Sequence, residues 1–271
     1  MTSNVPRALR SARAALALLL LLGASCSIVG TRQAPAWQSA EQMVVVTTSG
    51  WDATGGELRR FERDAGSTRW RQTGATTAVT VGRAGSAWGL GLHPLQEGPG
   101  PTKHEGDGRS PAGVFALGSA FGYAPAAATA MPYLAMQADD YCIDVPDSPL
   151  YNRIVSAAEV GTNAVEGSTE PMRRDLHADG DMRYRRGLVI EHNPNARPGA
   201  GSCIFAHLWN APGEATAGCT AMAEPAMDEM FAWLVPSKHP VFVLLPRAEY
   251  ARLQGAWALP DIIDASGPAV R

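Results

Sequence analysis

The apolar positions fall into three regimes along the chain. The first is one unbroken run over residues 14–22, preceded by Arg7, Arg10 and Arg13 with no acidic residue between them. The small residues Gly23, Ala24 and Ser25 follow, and then Cys26. A basic start, a short apolar stretch and small residues predict a secretory signal peptide over residues 1–25. The run falls short of the about 20 residues a membrane span needs. In the second regime, residues 26–42, Gly, Ser, Thr, Gln and Pro occur with little periodicity, and the segment reads as a tether.

From Met43 onwards the third regime is one of short strands and turns. Residues 43–48 are β-branched and apolar, and residues 57–63, 68–72 and 77–82 form further short runs separated by Asp- and Gly-containing turns. Residues 187–192, 203–208 and 241–245 read as buried strands, whereas residues 96–110 form a polar, glycine-rich loop. One helix is clear: Met227, Met230, Phe231 and Leu234 recur at i, i+3, i+4 and i+7 behind Glu224-Pro225. A second is expected over 247–257, behind Pro246. Short strands at this spacing argue for a meander or sandwich rather than for alternating strands and helices. The expected class is mainly β, with a few short helices and no internal repeat.

Composition sharpens this picture in two places. Of 271 residues, 45% are hydrophobic and 18% charged, which is enough apolar material for a core. The 23 basic against 26 acidic residues give a net charge of −3, without the basic excess of a nucleic-acid binder. Cleavage after residue 25 removes three positive charges and no negative one, leaving the mature chain at −6. No later stretch is long enough to span a membrane, so export predicts a soluble protein apart from any anchor. The segment Leu22-Gly23-Ala24-Ser25-Cys26 resembles a bacterial lipobox, in which Cys26 becomes the lipidated first residue, with the leucine one place further from the cysteine than usual. An ordinary signal peptide cleaved nearby is the alternative.

The four cysteines are Cys26, Cys142, Cys203 and Cys219, and none has the C-x-x-C spacing of a zinc or redox motif. In an oxidising compartment Cys142 and Cys203, both in strand-like settings, can bridge, and the sequence leaves open whether they do. Cys219 is then the odd thiol, either a buried apolar filler or a nucleophile. Its neighbourhood is compatible with chemistry, although a cysteine and a histidine twelve residues apart are weak evidence by themselves. A strand delivers His207, a Pro-Gly loop returns, and Gly218 precedes Cys219 just before a helix. An imidazole to take the thiol proton and backbone amides to receive an oxyanion are what a cysteine nucleophile needs. An ordinary thiol, with pKa about 8.5, needs such help at neutral pH.

The segment Thr216-Ala217-Gly218-Cys219-Thr220-Ala221-Met222, with His207 upstream, resembles the signature of the L,D-transpeptidase catalytic domain family (YkuD-type). A second segment, Ser110-Pro111-Ala112-Gly113-Val114-Phe115, resembles that family's Thr-Pro-x-Gly-x-Phe run. The two matches fall in the expected order within residues 77–246. The resemblance implies an L,D-transpeptidase-like β-sandwich and a ping-pong acyl transfer on peptidoglycan stem peptides, with no cofactor and no metal. Carried across, Cys219 forms a thioester, His207 is its base and the Leu208 carbonyl orients the imidazole. Gly218 and Cys219 amides line the oxyanion hole, and Thr216 holds the motif's hydroxyl position. The implied organisation is signal peptide 1–25, lipid-anchored tether 26–42, N-terminal strands 43–76 packed on a catalytic domain 77–246, and a C-terminal helix and tail 247–271.

Three departures bear on substrate: Ala221 stands where the family has arginine, Leu208 where glycine is common, and the loop between His207 and Cys219 is short. They leave two alternatives open. One is a hydrolase on the same fold, and the other is a catalytically silent wall-binding lipoprotein. In either case the expected location is the bacterial periplasm or cell envelope, with stem peptides, and a membrane through the lipid, as partners. No nucleic acid is expected, and the oligomeric state is not read from sequence.

Other candidates are weaker. His192 ends a strand, where it either lines the cleft or is a satisfied structural histidine. Trp209 either shapes a substrate wall or packs in the core. Residues 175–181 superficially resemble a calcium loop, but Arg186 stands where a bidentate glutamate is needed, so a solvated loop is expected. His104, Glu105 and Asp107 near Arg109 read as loop polarity rather than as metal ligands.

Overall fold

The computed structural model describes Met1 and residues 35–262. The predicted signal peptide, the Cys26 lipidation site, most of the tether and residues 263–271 of the tail lie outside the described residues. Thirteen strands occur among the described residues: β1 (Gln42–Thr48), β2 (Gly55–Glu62), β3 (Arg71–Thr80), β4 (Ser86–Trp88), β5 (Ser110–Gly122), β6 (Tyr133–Ala135), β7 (Asp140–Cys142), β8 (Ile154–Ser156), β9 (Glu170–Pro171), β10 (Arg186–Ile190), β11 (Phe205–Leu208), β12 (Thr220–Met222) and β13 (Val241–Pro246). The helices are α1 (Ala157–Val160), α2 (Arg174–His177), α3 (Glu224–Trp233) and α4 (Arg247–Trp257).

The mainly β class expected from sequence is the class observed, and the main sheet closes on itself. In order, β10, β11, β12, β3, β2, β1, β13 and β5 pair as neighbours, and β5 returns to β10. Eight strands thus form a barrel, which leaves no unpaired edge in its wall. The strands β1 and β13 lie side by side in parallel, Met43 opposite Val241, and every residue of each is buried. Such runs are continuously apolar because both faces are covered. Helix α4 covers the outside, lying against β13 and β1 with Tyr250, Leu253 and Trp257 buried.

Three boundaries differ from those expected. Residues 68–72 and 77–82 are not two strands. Residues 71–80 form one, in which Gly74 takes the positive φ of 71° that its Arg60 neighbour and a register irregularity in the β2–β3 ladder require. The division at residue 77 falls inside β3, and β1 sits between β2 and β13 in the barrel wall, so residues 43–76 are staves rather than a layer packed on a separate domain. The tether ends earlier than residue 42: Trp37, Ala40 and Gln42 are buried, and the Trp37 indole donates to the Trp257 carbonyl at 3.0 Å.

Between the barrel neighbours β5 and β10 the chain inserts residues 123–185. This insertion holds β6, α1, α2 and a separate three-stranded sheet in the order β8-β7-β9. Cys142 at the end of β7 is disulfide-bonded to Cys203, just before β11. Asn152 adds hydrogen bonds to the His192 and Asn193 carbonyls and accepts from the Cys203 N–H at 2.9 Å. The insertion forms a cap on this side of the barrel.

Candidate active site at Cys219

Cys219 lies immediately before β12, which runs parallel to β11 with His207 opposite Ala221. Extending that register by one residue sets Cys219 opposite Phe205 and diagonal to His207 on the same face. Hydroxyls hold the nucleophile segment. The Cys219 carbonyl accepts from Thr216 Oγ1 at 2.6 Å and from Ser110 Oγ at 2.9 Å. Ser110 opens β5, so the two motif segments, more than a hundred residues apart, meet at one carbonyl. The same Ser110 hydroxyl accepts from the Gly82 N–H at 2.9 Å.

The chain bends over residues 217–219 without a positive φ at Gly218. The glycine's lack of a side chain serves close approach, since a Cβ there would come 3.1 Å from the Arg109 carbonyl oxygen. One expectation for this turn needs correcting. The Gly218 N–H was expected to serve the oxyanion hole, but it donates to Thr216 Oγ1 at 3.1 Å. Thr216 closes a local side-chain-to-backbone ring, a competition with other partners typical of short hydroxyl residues.

His207 is buried on β11, and its Nδ1 lies 2.7 Å from the Leu208 carbonyl oxygen. A carbonyl only accepts, so Nδ1 carries the proton and Nε2 keeps a lone pair. Burial depresses the imidazole to a pKa of about 4, against the Leu208 bond and with the Arg183 charge adding to the depression. The Cys219 sulfur accepts from the Phe205 N–H at 3.3 Å and donates to the Cys203 carbonyl at 3.5 Å. Burial, and next the Glu170 carboxylate, push the thiol up to about 12. The resting pair is therefore neutral thiol and neutral imidazole.

Both side chains line one cavity of about 310 Å³, together with Tyr184, Glu170, Arg174 and Arg83. Sequence reasoning did not single out these four residues. The Tyr184 ring stands edge-on to His207 at 5.2 Å and packs in one cluster with Cys219 and Phe205. Burial raises Glu170 above the usual carboxylate range, and burial drives Tyr184 well above an ordinary phenol. Arg174 is anchored at 3.2 Å to Glu170 and at 2.7 Å to Asp181.

The loop over 175–181 is not simply solvated. Asp175 and Asp181 are held by Arg173, Arg174 and Arg183, and Arg183 approaches Asp181 to 2.6 Å. Desolvation opposes ionisation of Asp181, but Arg183 and Arg174 outweigh it and hold the carboxyl far below its usual range. Glu105 accepts from the Tyr151 and Ser202 hydroxyls, and Asp107 binds Lys103 at 2.6 Å. Among the described residues no cluster of His, Cys, Asp and Glu is arranged to hold a metal ion.

The remaining candidates lie elsewhere. His192 is buried with both nitrogens occupied: Nδ1 accepts from the Leu90 N–H at 3.2 Å, and Nε2 donates to the Ala200 carbonyl at 3.0 Å. Burial depresses it to about 4. It is absent from the lining of the Cys219 cavity, as is Trp209, which continues β11 by a backbone bond to Met222 at 2.9 Å. The proposed substrate roles of both are thus not supported by their position. No helix of the described residues is long and apolar enough to cross a membrane. Compared with known protein families, curated proteins and solved structures, the chain matches none of them.

Proposed function

We propose that this protein is an exported cysteine acyltransferase of the L,D-transpeptidase type, acting on peptidoglycan stem peptides. On this reading the closed barrel is that family's β-sandwich joined along its edges. The observation that carries the reading is the meeting of Ser110, Thr216 and Cys219 at one backbone carbonyl, with His207 lining the same cavity. The two segments that resemble the family are thereby parts of one site.

In the reaction, Cys219 Sγ attacks the carbonyl of an L,D-peptide bond while Nε2 of His207 takes the thiol proton. The tetrahedral intermediate collapses to a thioester, and the same imidazole returns the proton to the departing amine of the terminal D-residue. An acceptor amine from a second stem peptide, or water, then attacks the thioester and frees the thiol. Leu208 sets the tautomer that leaves Nε2 basic. The thiol and imidazole shifts hold the resting pair uncharged, so Cys219 must be uncovered before it reacts. No cofactor enters this chemistry. Export to the periplasm or cell envelope, with a lipid on Cys26 as anchor, belongs to the same proposal.

The test is incubation of the purified protein, wild type and Cys219→Ala, with disaccharide-tetrapeptide muropeptides, followed by mass spectrometry. Cys219-dependent dimers that have lost the terminal D-residue support transpeptidation. Shortened monomers without dimers assign hydrolysis instead, and no Cys219-dependent product, with the Cys142–Cys203 bridge either oxidised or reduced, removes both activities on this substrate. The mass of the N-terminal peptide of the mature protein decides whether Cys26 carries lipid.

A further inference from the structure

The cap is joined covalently to the barrel at the bridge between Cys142 and Cys203, and both ends of that bridge bear on Cys219. Cys203 takes a φ of 55°, a left-handed conformation rare outside glycine. Its carbonyl accepts the Cys219 thiol, and two residues later the Phe205 N–H donates to the same sulfur. On the cap side, Cys142 pairs across the small sheet with Glu170. Glu170 lines the Cys219 cavity together with Tyr184, which packs in one apolar cluster with Cys219. One covalent bond thus ties the thiol's backbone partner to the small sheet that supplies part of the cavity lining. The other ties described between cap and barrel are non-covalent: hydrogen bonds such as Asn152 to the Cys203 N–H and Tyr151 to Glu105, the Arg185–Glu224 ion pair, and an apolar cluster in which Met136, Met172 and Tyr184 of the cap pack with Phe121, Phe205 and Cys219.

We propose that the Cys142–Cys203 bridge is a positioning device for Cys219, a latch that keeps the thiol covered until the bridge is reduced. A dithiol reductant attacks the bridge, passes through a mixed disulfide and leaves as its own disulfide. Two electrons and two protons pass to Cys142 and Cys203, which end as thiols. With the latch open, the Cys203 carbonyl is released from its constrained position and β7 can lift, taking Glu170 with it. Cys219 then meets solvent and reagents while the barrel, whose ladders do not involve the bridge, stays closed. The inference deepens the reading of Cys219 as nucleophile, and its test reads the thiol itself rather than turnover, so each can fail without the other.

The experiment is alkylation of the native protein with iodoacetamide, with the Cys219-containing peptide quantified by mass spectrometry. It is run before and after reduction by dithiothreitol and desalting, and near-ultraviolet circular dichroism reports packing of the aromatic core. The expected result is at least a tenfold faster modification of Cys219 after reduction, with the dichroism retained. Reoxidation with oxidised glutathione restores protection. The Cys142→Ala/Cys203→Ala double variant is modified at the fast rate without any reductant. An unchanged rate in the reduced wild type overturns the proposal, whether or not the double variant folds. Acceleration that appears only together with loss of the dichroism overturns it equally, because exposure then comes from unfolding.

Discussion

Thr216 does two jobs with one hydroxyl, donating to the Cys219 carbonyl and accepting from the Gly218 N–H. Thr216→Val keeps the shape and removes both bonds; the Cys219 carbonyl retains Ser110 Oγ, but the Gly218 N–H loses its partner in a buried turn. Such a loss costs about 1–3 kcal/mol, so the urea midpoint is expected to fall accordingly. A smaller change, within about 0.5 kcal/mol, means the turn relaxes to find other partners. The thiol, imidazole and threonine of this site were legible in the sequence because a short motif places them close together along the chain. Tyr184 and Glu170 were not, because only the folded cap carries them to the cavity. Arg83 was missed for a different reason: it is one arginine in a turn, with nothing local to mark it. It is exposed, lines the cavity, and its side chain lies over Gly108, where a Cβ would come within 3.1 Å. On the proposed reading its guanidinium meets a carboxylate of the stem peptide. Arg83→Ala then raises KM about tenfold, the worth of one charge-assisted hydrogen bond, and leaves kcat unchanged. A fall in kcat at constant KM would remove it from substrate binding.

Among the elements, the legible ones are those whose pattern is local. The apolar run of β1, the run of β13, helix α3 with its Met and Phe stripe, and helix α4 behind Pro246 all occur where their residues put them. The cap was not legible. Its strands are two or three residues long, too short for any period to register, and its order rests on arginine–carboxylate pairs and one disulfide. That disulfide joins residues separated by 61 positions. Loop-closure entropy for such a separation amounts to about 4 kcal/mol in the chain-entropy model. Reduction is therefore expected to lower the melting temperature and the denaturant midpoint by that order while the transition stays cooperative. A melting temperature that does not move would mean the reduced chain keeps the same restricted unfolded ensemble.

For the whole molecule, titration and topology carry the consequences. His207 and His192 are both depressed to about 4 from an ordinary 6.5, so between those values the unfolded chain binds more protons than the folded one. Stability is complete above pH 6.5 and is lost as the pH falls towards 4. Cys219 works at the other end: raised to about 12 from 9.0, it stays protonated in the fold while the unfolded chain ionises, so stability declines above pH 9. Melting temperature against pH should show a plateau between these limits with a fall on each side. A curve still climbing from pH 7 to 9 would contradict the assignment of buried neutral groups. Closure of the barrel was beyond the sequence, since it depends on pairings such as β5 with β10 and β3 with β12 that no local pattern announces. The adjacency of β1 and β13 has a further bearing on how the chain comes into being. A polypeptide emerging from its amino end presents the seven residues of β1 long before the neighbour that pairs with them, from Val241 on. Topologies of such high contact order fold slowly. Until Val241–Pro246 has been made, the growing chain carries an unfinished wall with unpaired apolar edges, the kind of surface that invites aggregation.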